Sequence, residues 1–210
     1  MSDLLHVMSA TLEAATFNWR WMAWNTWLAL IPLALAGCLF RGNPRRTLLW
    51  WLGLAVFVAF LPNAPYVLTD IIHLVNDIRY GYSIWLITLV LVPQYLLFML
   101  IGFEAYVVSV LALSRYLQRQ AVRYHGFVEV LIHALTAVGI YLGRFRRFNS
   151  WDIVTQPDLL MSTTLHHLWQ DRPLLIMAIT FVVLTVLYWL FKHLTLALAW
   201  YWPRRRQLSP

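Results

Sequence analysis

The sequence predicts an all-α protein: a polytopic membrane helix bundle of about five transmembrane helices, with short interfacial helices beside them. Three observations predict it. Of 210 residues, 61% are hydrophobic and only 12% are charged, against about 45–50% apolar and about 25% charged in soluble domains. Five apolar runs recur along the chain, each bounded by polar or proline-containing turns. Twelve tryptophans and ten tyrosines supply the amphipathic rings that collect at membrane interfaces.

The elements follow in order. Residues 1–20 are expected to form an N-terminal interfacial segment. Asp3, His6 and Glu13 interrupt them, so they lack the continuous apolar core of a cleaved signal. A single bundle domain, 21–202, comes next, and its first span is 21–40, about the length that crosses a hydrocarbon core. The turn from Arg41 to Arg46 ends that span. The second run, 47–61, is short and is expected to stop at Pro62-Asn63-Ala64-Pro65, because proline removes a backbone donor and clashes with the preceding turn. A polar segment separates it from the third run, 83–113, which carries Pro93 and is long enough to require a kink or an interfacial first section. A basic loop leads to the fourth run, 127–142. A second polar segment then leads to the fifth, 173–199, and a basic tail, 203–210, closes the chain. The single cysteine, Cys38, excludes an internal disulfide and reads as a small apolar residue near a helix end.

Alternating the loops across the membrane separates the charges. One side collects ten of the sixteen Lys and Arg residues, with Glu129 as its one acid. The other collects six, with seven of the nine acids. The positive-inside rule then places the amino terminus outside and the carboxyl terminus in the cytoplasm. Topology and anionic lipid account for the basic balance, so membrane lipid is the expected partner and nucleic acid is not.

Two segments depart from the membrane pattern, and this topology puts both on the outer face: Leu61–Tyr80 and Tyr141–Pro157. Each follows a short apolar run, so each is expected to begin below the membrane surface. Irregular backbone at that depth must be buried in protein or line a wet cavity, and the two segments could therefore meet in a recessed polar pocket. In the first segment Asp70, His73 and Asp77 follow a helical stripe. Asp70 and His73 could hold a divalent metal or pair as acid and base; Asp70 could equally cap a helix while His73 makes one structural hydrogen bond. In the second, Arg144, Arg146 and Arg147 precede Asn149, Ser150 and Asp152. Guanidinium groups clamp phosphates and carboxylates bidentately, so Arg144, Arg147 and Asn149 are candidate anion ligands and Asp152 a candidate acid or base. The competing reading pairs one arginine with Asp152 or Asp70 across the two segments and lets another snorkel to headgroups. His166 and His167 could join His73 in a metal site or stand at the interface.

Within the spans, Glu104 is the outlying acid, since ionisable groups there are costly and often functional. His133, at a comparable distance from the basic loop, is its expected partner. Gln94 beside Pro93 marks the kink. No nucleophile-elbow, zinc-protease, P-loop, dinucleotide-binding or C-x-x-C signature occurs in the chain.

The two polar segments carry a resemblance. Leu61-Pro62-Asn63-Ala64-Pro65-Tyr66, Thr69-Asp70 and His73, followed by Gly143-Arg144-Phe145, Arg147 and Asn149-Ser150-Trp151-Asp152, resemble the signature of the bacterial "domain of unknown function thirteen sixty-one" family. The resemblance spans roughly the second to the fifth run. It implies a multi-pass protein of the bacterial inner membrane and marks Pro62, Asn63, Pro65 and Tyr66 as motif residues. It brings no activity with it.

Three functions fit these residues. The first is a recessed outer-face pocket that binds or acts on an anionic lipid-linked or envelope substrate through Arg144, Arg147, Asp70, His73 and Asp152. The second is a small transporter or channel-like subunit, oligomeric, that uses Glu104 and His133. The third is an assembly or scaffold subunit of a larger membrane complex.

Overall fold

The computed structural model describes residues 2–42, 45–146 and 171–208. These are almost wholly helical, and among them no strand occurs. Five helical stretches are long and apolar enough to cross a membrane: Asn18–Leu39, Leu48–Arg79, Ile84–Arg119, Gly126–Arg144 and Pro173–Tyr201. The chain is a multi-pass membrane protein.

Helix α1 runs unbroken over Ser2–Leu39. The N-terminal segment winds without a break into the first span, which begins at Asn18, since no proline or glycine interrupts the chain before Pro32. At its far end the last carbonyls find donors outside the helix. Trp50 Nε1 donates to the Leu39 oxygen at 3.1 Å, and Arg119 Nη2 donates to the Phe40 oxygen at 2.5 Å. A cation there also complements the helix dipole.

Helix α2, Leu48–Phe60, starts at Thr47, whose hydroxyl accepts from the Trp50 amide. The winding does not stop at the two prolines. A short turn, α3 (Asn63–Tyr66), a 3₁₀ turn (Val67–Asp70) and α4 (Ile71–Arg79) carry it on to Arg79. Pro62 and Pro65 fall at and just inside the start of a new helical turn, where proline's missing N–H is tolerated and its fixed φ is already helical. The second span is therefore a broken helix that passes through the motif rather than a short helix that ends at it.

The third run begins with α5 (Ile84–Leu86), which Ser83 caps, and a five-residue π turn (Ile87–Leu91). It then continues as α6, Val92–Arg119. The π turn lies immediately before Pro93, where the regular hydrogen-bond ladder loses a donor, so the expected irregularity takes this form. Helix α7 covers His125–Arg146 and α8 covers Asp171–Leu208. Gly143–Arg146, expected in a polar connection, belong to the last turn of α7.

Helix α6 is the axis of the bundle. It packs against α1, the α3 and 3₁₀ turns, α7 and α8, and contributes the fully buried Tyr95, Tyr106, Val107 and Val110. Two glycines let the broken segment lie against its neighbours. A Cβ at Gly102 of α6 would fall 2.5 Å from Val67 Cγ2 and 3.0 Å from the Ala64 carbonyl oxygen. A Cβ at Gly139 of α7 would fall 2.5 Å from Pro62 Cγ. The motif turn is thus wedged between α6 and α7 at a distance that only glycine allows. The basic residues Arg46 and Arg119 gather at one end of the bundle, with the Arg46 Nε donating to the Tyr116 hydroxyl at 3.1 Å. The motif residues lie toward the opposite end.

Candidate functional site

The two motif segments meet at Asp70. Its side chain is 2% exposed. Because α4 follows it directly, the residue could cap that helix, yet its carboxylate makes no cap hydrogen bond. Instead Oδ1 accepts from Arg144 Nη1 at 3.2 Å, and Oδ2 accepts from Asn25 Nδ2 at 3.1 Å. Helices α1, α7 and the broken second span are tied at this one carboxylate. A buried carboxylate needs such partners, since desolvation is costly without them. The Arg144 guanidinium also lies 6.0 Å from the centre of the Tyr66 ring, within cation–π range.

His73, one turn on from Asp70, places Nε2 3.9 Å from Asp70 Oδ1. That is too long for a hydrogen bond but close enough for an ion pair when the ring is protonated. Its side chain is 46% exposed, the most accessible of the three. The Trp21 ring packs on it with centroids 4.8 Å apart.

A second carboxylate completes the cluster. Asp77 Oδ2 accepts from Asn18 Nδ2 at 2.7 Å and from the Tyr95 hydroxyl at 2.9 Å, while Trp21 Nε1 donates to Asn18 Oδ1 at 3.0 Å. Asn18, Trp21, Asn25 and Tyr95 are site residues that the motif reading missed. Asn18 and Asn25 are seven residues apart, which puts both amides on one face of α1, and that spacing was the available signal.

Of the motif residues, Pro65 is buried, Pro62 lies under Gly139, and Asn63 Nδ2 donates to the Phe60 oxygen at 3.1 Å. Arg147, Asn149, Ser150, Asp152, His166 and His167 lie outside the described residues. The donors around Asp70 and Asp77 bear on the divalent-metal expectation at Asp70 and His73. Amide and guanidinium hydrogens meet both oxygens of Asp70, amide and hydroxyl hydrogens meet Oδ2 of Asp77, and among the described residues no three metal-ligating side chains gather.

Glu104 and His133, expected as partners, are placed apart. Thr195 Oγ1 of α8 lies 2.7 Å from Glu104 Oε1 and 2.8 Å from the Phe191 carbonyl oxygen, whereas His133 Nδ1 meets the Tyr106 hydroxyl at 2.6 Å. The cause is helical phase. Residues 104 and 106 point to nearly opposite sides of α6, so Tyr106 faces α7 while Glu104 faces away from it. An unanticipated ion pair joins α7 to α8. Lys192 Nζ lies 2.9 Å from both oxygens of Glu129, and the Ser114 and Tyr188 hydroxyls lie nearby without closing well-formed hydrogen bonds.

A family model described as a protein of unknown function, DUF1361, matches residues 24–186. The chain belongs to that family. No curated protein and no solved structure matches it. The DUF1361 match takes in Asn25, the Pro62–Asp77 segment, Tyr95 and Arg144, while Asn18 lies before it.

Proposed function

We propose that this chain carries, at the outer face of a bacterial inner membrane, a recessed polar site that binds or acts on an anionic lipid-linked or envelope substrate. One observation carries the reading: Asp70, His73 and Arg144 come together from two distant segments, with His73 left accessible. Asp70 is too buried to touch a ligand and is a positioning residue, holding Arg144 directly and drawing the His73 ring toward it. Arg144 spends one of its five N–H donors on Asp70 and keeps others for an anion. The exposed His73 ring supplies a further donor or, in an acid–base reaction, the proton carrier. Arg147, Asn149 and Asp152, three to eight residues beyond Arg144, are proposed to complete the site. The count of basic residues supports the outer placement. The transporter reading rests on Glu104 with His133, and these take separate partners.

The test compares purified wild type with His73→Ala and Arg144→Lys, each mixed with phosphatidylglycerol, a polyprenyl phosphate or phosphatidylcholine. The two anionic lipids are expected to raise the unfolding midpoint of the wild type. The rise should be lost in His73→Ala and reduced in Arg144→Lys. An equal rise in all three proteins, or an equal effect of the zwitterionic lipid, sinks the proposal.

A further inference from the structure

Two polar groups face outward from the middle of the bundle. Glu104 lines an open groove whose other walls are apolar: Leu30 and Leu33 from α1, with Leu100, Ile101, Ala105 and Val108 from α6. One of its carboxyl oxygens lies 2.7 Å from Thr195 Oγ1, which also reaches the Phe191 carbonyl oxygen at 2.8 Å; the other has no partner among the described residues. His193 is exposed on α8, where Nδ1 lies 2.7 Å from the Trp189 carbonyl oxygen. A carbonyl only accepts, so Nδ1 carries the hydrogen and a neutral ring presents a lone pair outward at Nε2. Both groups lie within spanning helices, among exposed apolar residues that include Leu100, Ile101, Leu190 and Leu194.

Their placement restricts how they can be satisfied. Thr195 touches Glu104, and His193 is two residues away, about 3 Å along the axis, so the acid and the imidazole share a depth. Residues 193 and 195 point about 160° apart around α8. His193 therefore cannot reach Glu104 of its own chain. Among the described residues, helix α8 is also the least covered of the five spanning helices.

We propose that a second copy of this chain fills the groove, with His193 of its α8 meeting Glu104 at matched depth. One proton shared between carboxyl and imidazole satisfies both groups, and the exposed Trp189 and Leu190 beside His193 cover the apolar walls. Polar pairs of this kind hold membrane helices together where no hydrophobic drive exists.

The test is a depth-matched cross-link in native membranes. One copy carries Cys38→Ser with Val108→Cys, one turn along α6 from Glu104. The other carries Cys38→Ser with Ala197→Cys, one turn along α8 from His193. Oxidation is expected to give a disulfide-linked dimer of this pair. Replacing Ala197→Cys by Val182→Cys, eleven residues from His193, should give little. Adding Glu104→Leu or His193→Phe should lower the dimer yield roughly threefold to tenfold. Glu104→Gln should keep it, because an amide N–H can donate to Nε2 as a carboxyl O–H does. Three results would overturn the proposal: equal cross-linking at Val182→Cys, a yield indifferent to Glu104→Leu in protein that retains its wild-type melting profile, or a lipid-embedded wild type that is monomeric or carries a different stoichiometric helix in the groove.

Discussion

Removing the Arg144 charge should expose how the two motif segments depend on each other. In Arg144→Met the Asp70 carboxylate keeps one hydrogen-bond donor, Asn25, with His73 3.9 Å away. Breaking a buried ion pair from one side costs about 3–5 kcal/mol. The lower part of that range applies, because the Arg144 side chain keeps 22% of its exposure and water shares in the screening. Asp70→Asn should cost less, about 1–2 kcal/mol, since the released guanidinium can turn toward water while the amide keeps the shape of the carboxylate. The double variant Asp70→Asn/Arg144→Met leaves neither charge stranded. It should fall short of the sum of the two single effects by about 2–3 kcal/mol, at the upper end for groups in direct contact. Denaturant titration in mixed micelles, followed by tryptophan fluorescence, gives the three values. Additive costs would refute the reasoning, since they would mean that the two side chains act independently and that the tie between the segments lies elsewhere.

Two other perturbations test the packing. Gly139→Ala would drive a methyl group to 2.5 Å from the rigid Pro62 ring and should destabilise by about 1–3 kcal/mol in the same titration; Gly53→Ala, whose Cβ would meet only the flexible end of Leu39 at 3.0 Å, should be nearly neutral. Lys192→Met strands Glu129 between α7 and α8 and should cost about 1–3 kcal/mol, since both groups keep some exposure, with most of it restored by adding Glu129→Gln; an unrescued double variant would argue that the methylene stem of Lys192 matters more than its charge.

The sequence made the five spans legible because each is a run of apolar residues, and burial in lipid demands such runs whatever the tertiary packing. It also made legible one alternative for Arg144, its pairing with Asp70 across the two segments. Two features were not readable. The Pro62–Pro65 turn looked like a stop because proline forbids a helix interior, but it permits the first turn of a new helix, and whether a chain stops or restarts depends on what packs against it. Here Gly102 and Gly139 provide the room, and they stand about 40 and 77 residues away in sequence. The partner of Glu104 was misjudged for a related reason: equal distance from a shared loop fixes depth but leaves rotation about the helix axis undetermined. That rotation assigns Tyr106 to His133 and Glu104 to Thr195.

The broken second span gives the site its character. The prolines remove backbone donors, the 3₁₀ turn tightens the winding ahead of α4, and Asp70 falls at that junction. Each polar group turned inward there requires another: Asp70 requires Arg144 and Asn25, and Asp77 requires Tyr95 and Asn18. Four elements, α1, the second span, α6 and α7, are thereby joined at the motif end by polar contacts that apolar packing alone would not specify. A bundle built only for stability would do better with hydrophobic residues of similar size at these positions. A buried Asp70 carboxylate beside an accessible His73 therefore supports the proposed reading, in which Arg144 and His73 meet a ligand.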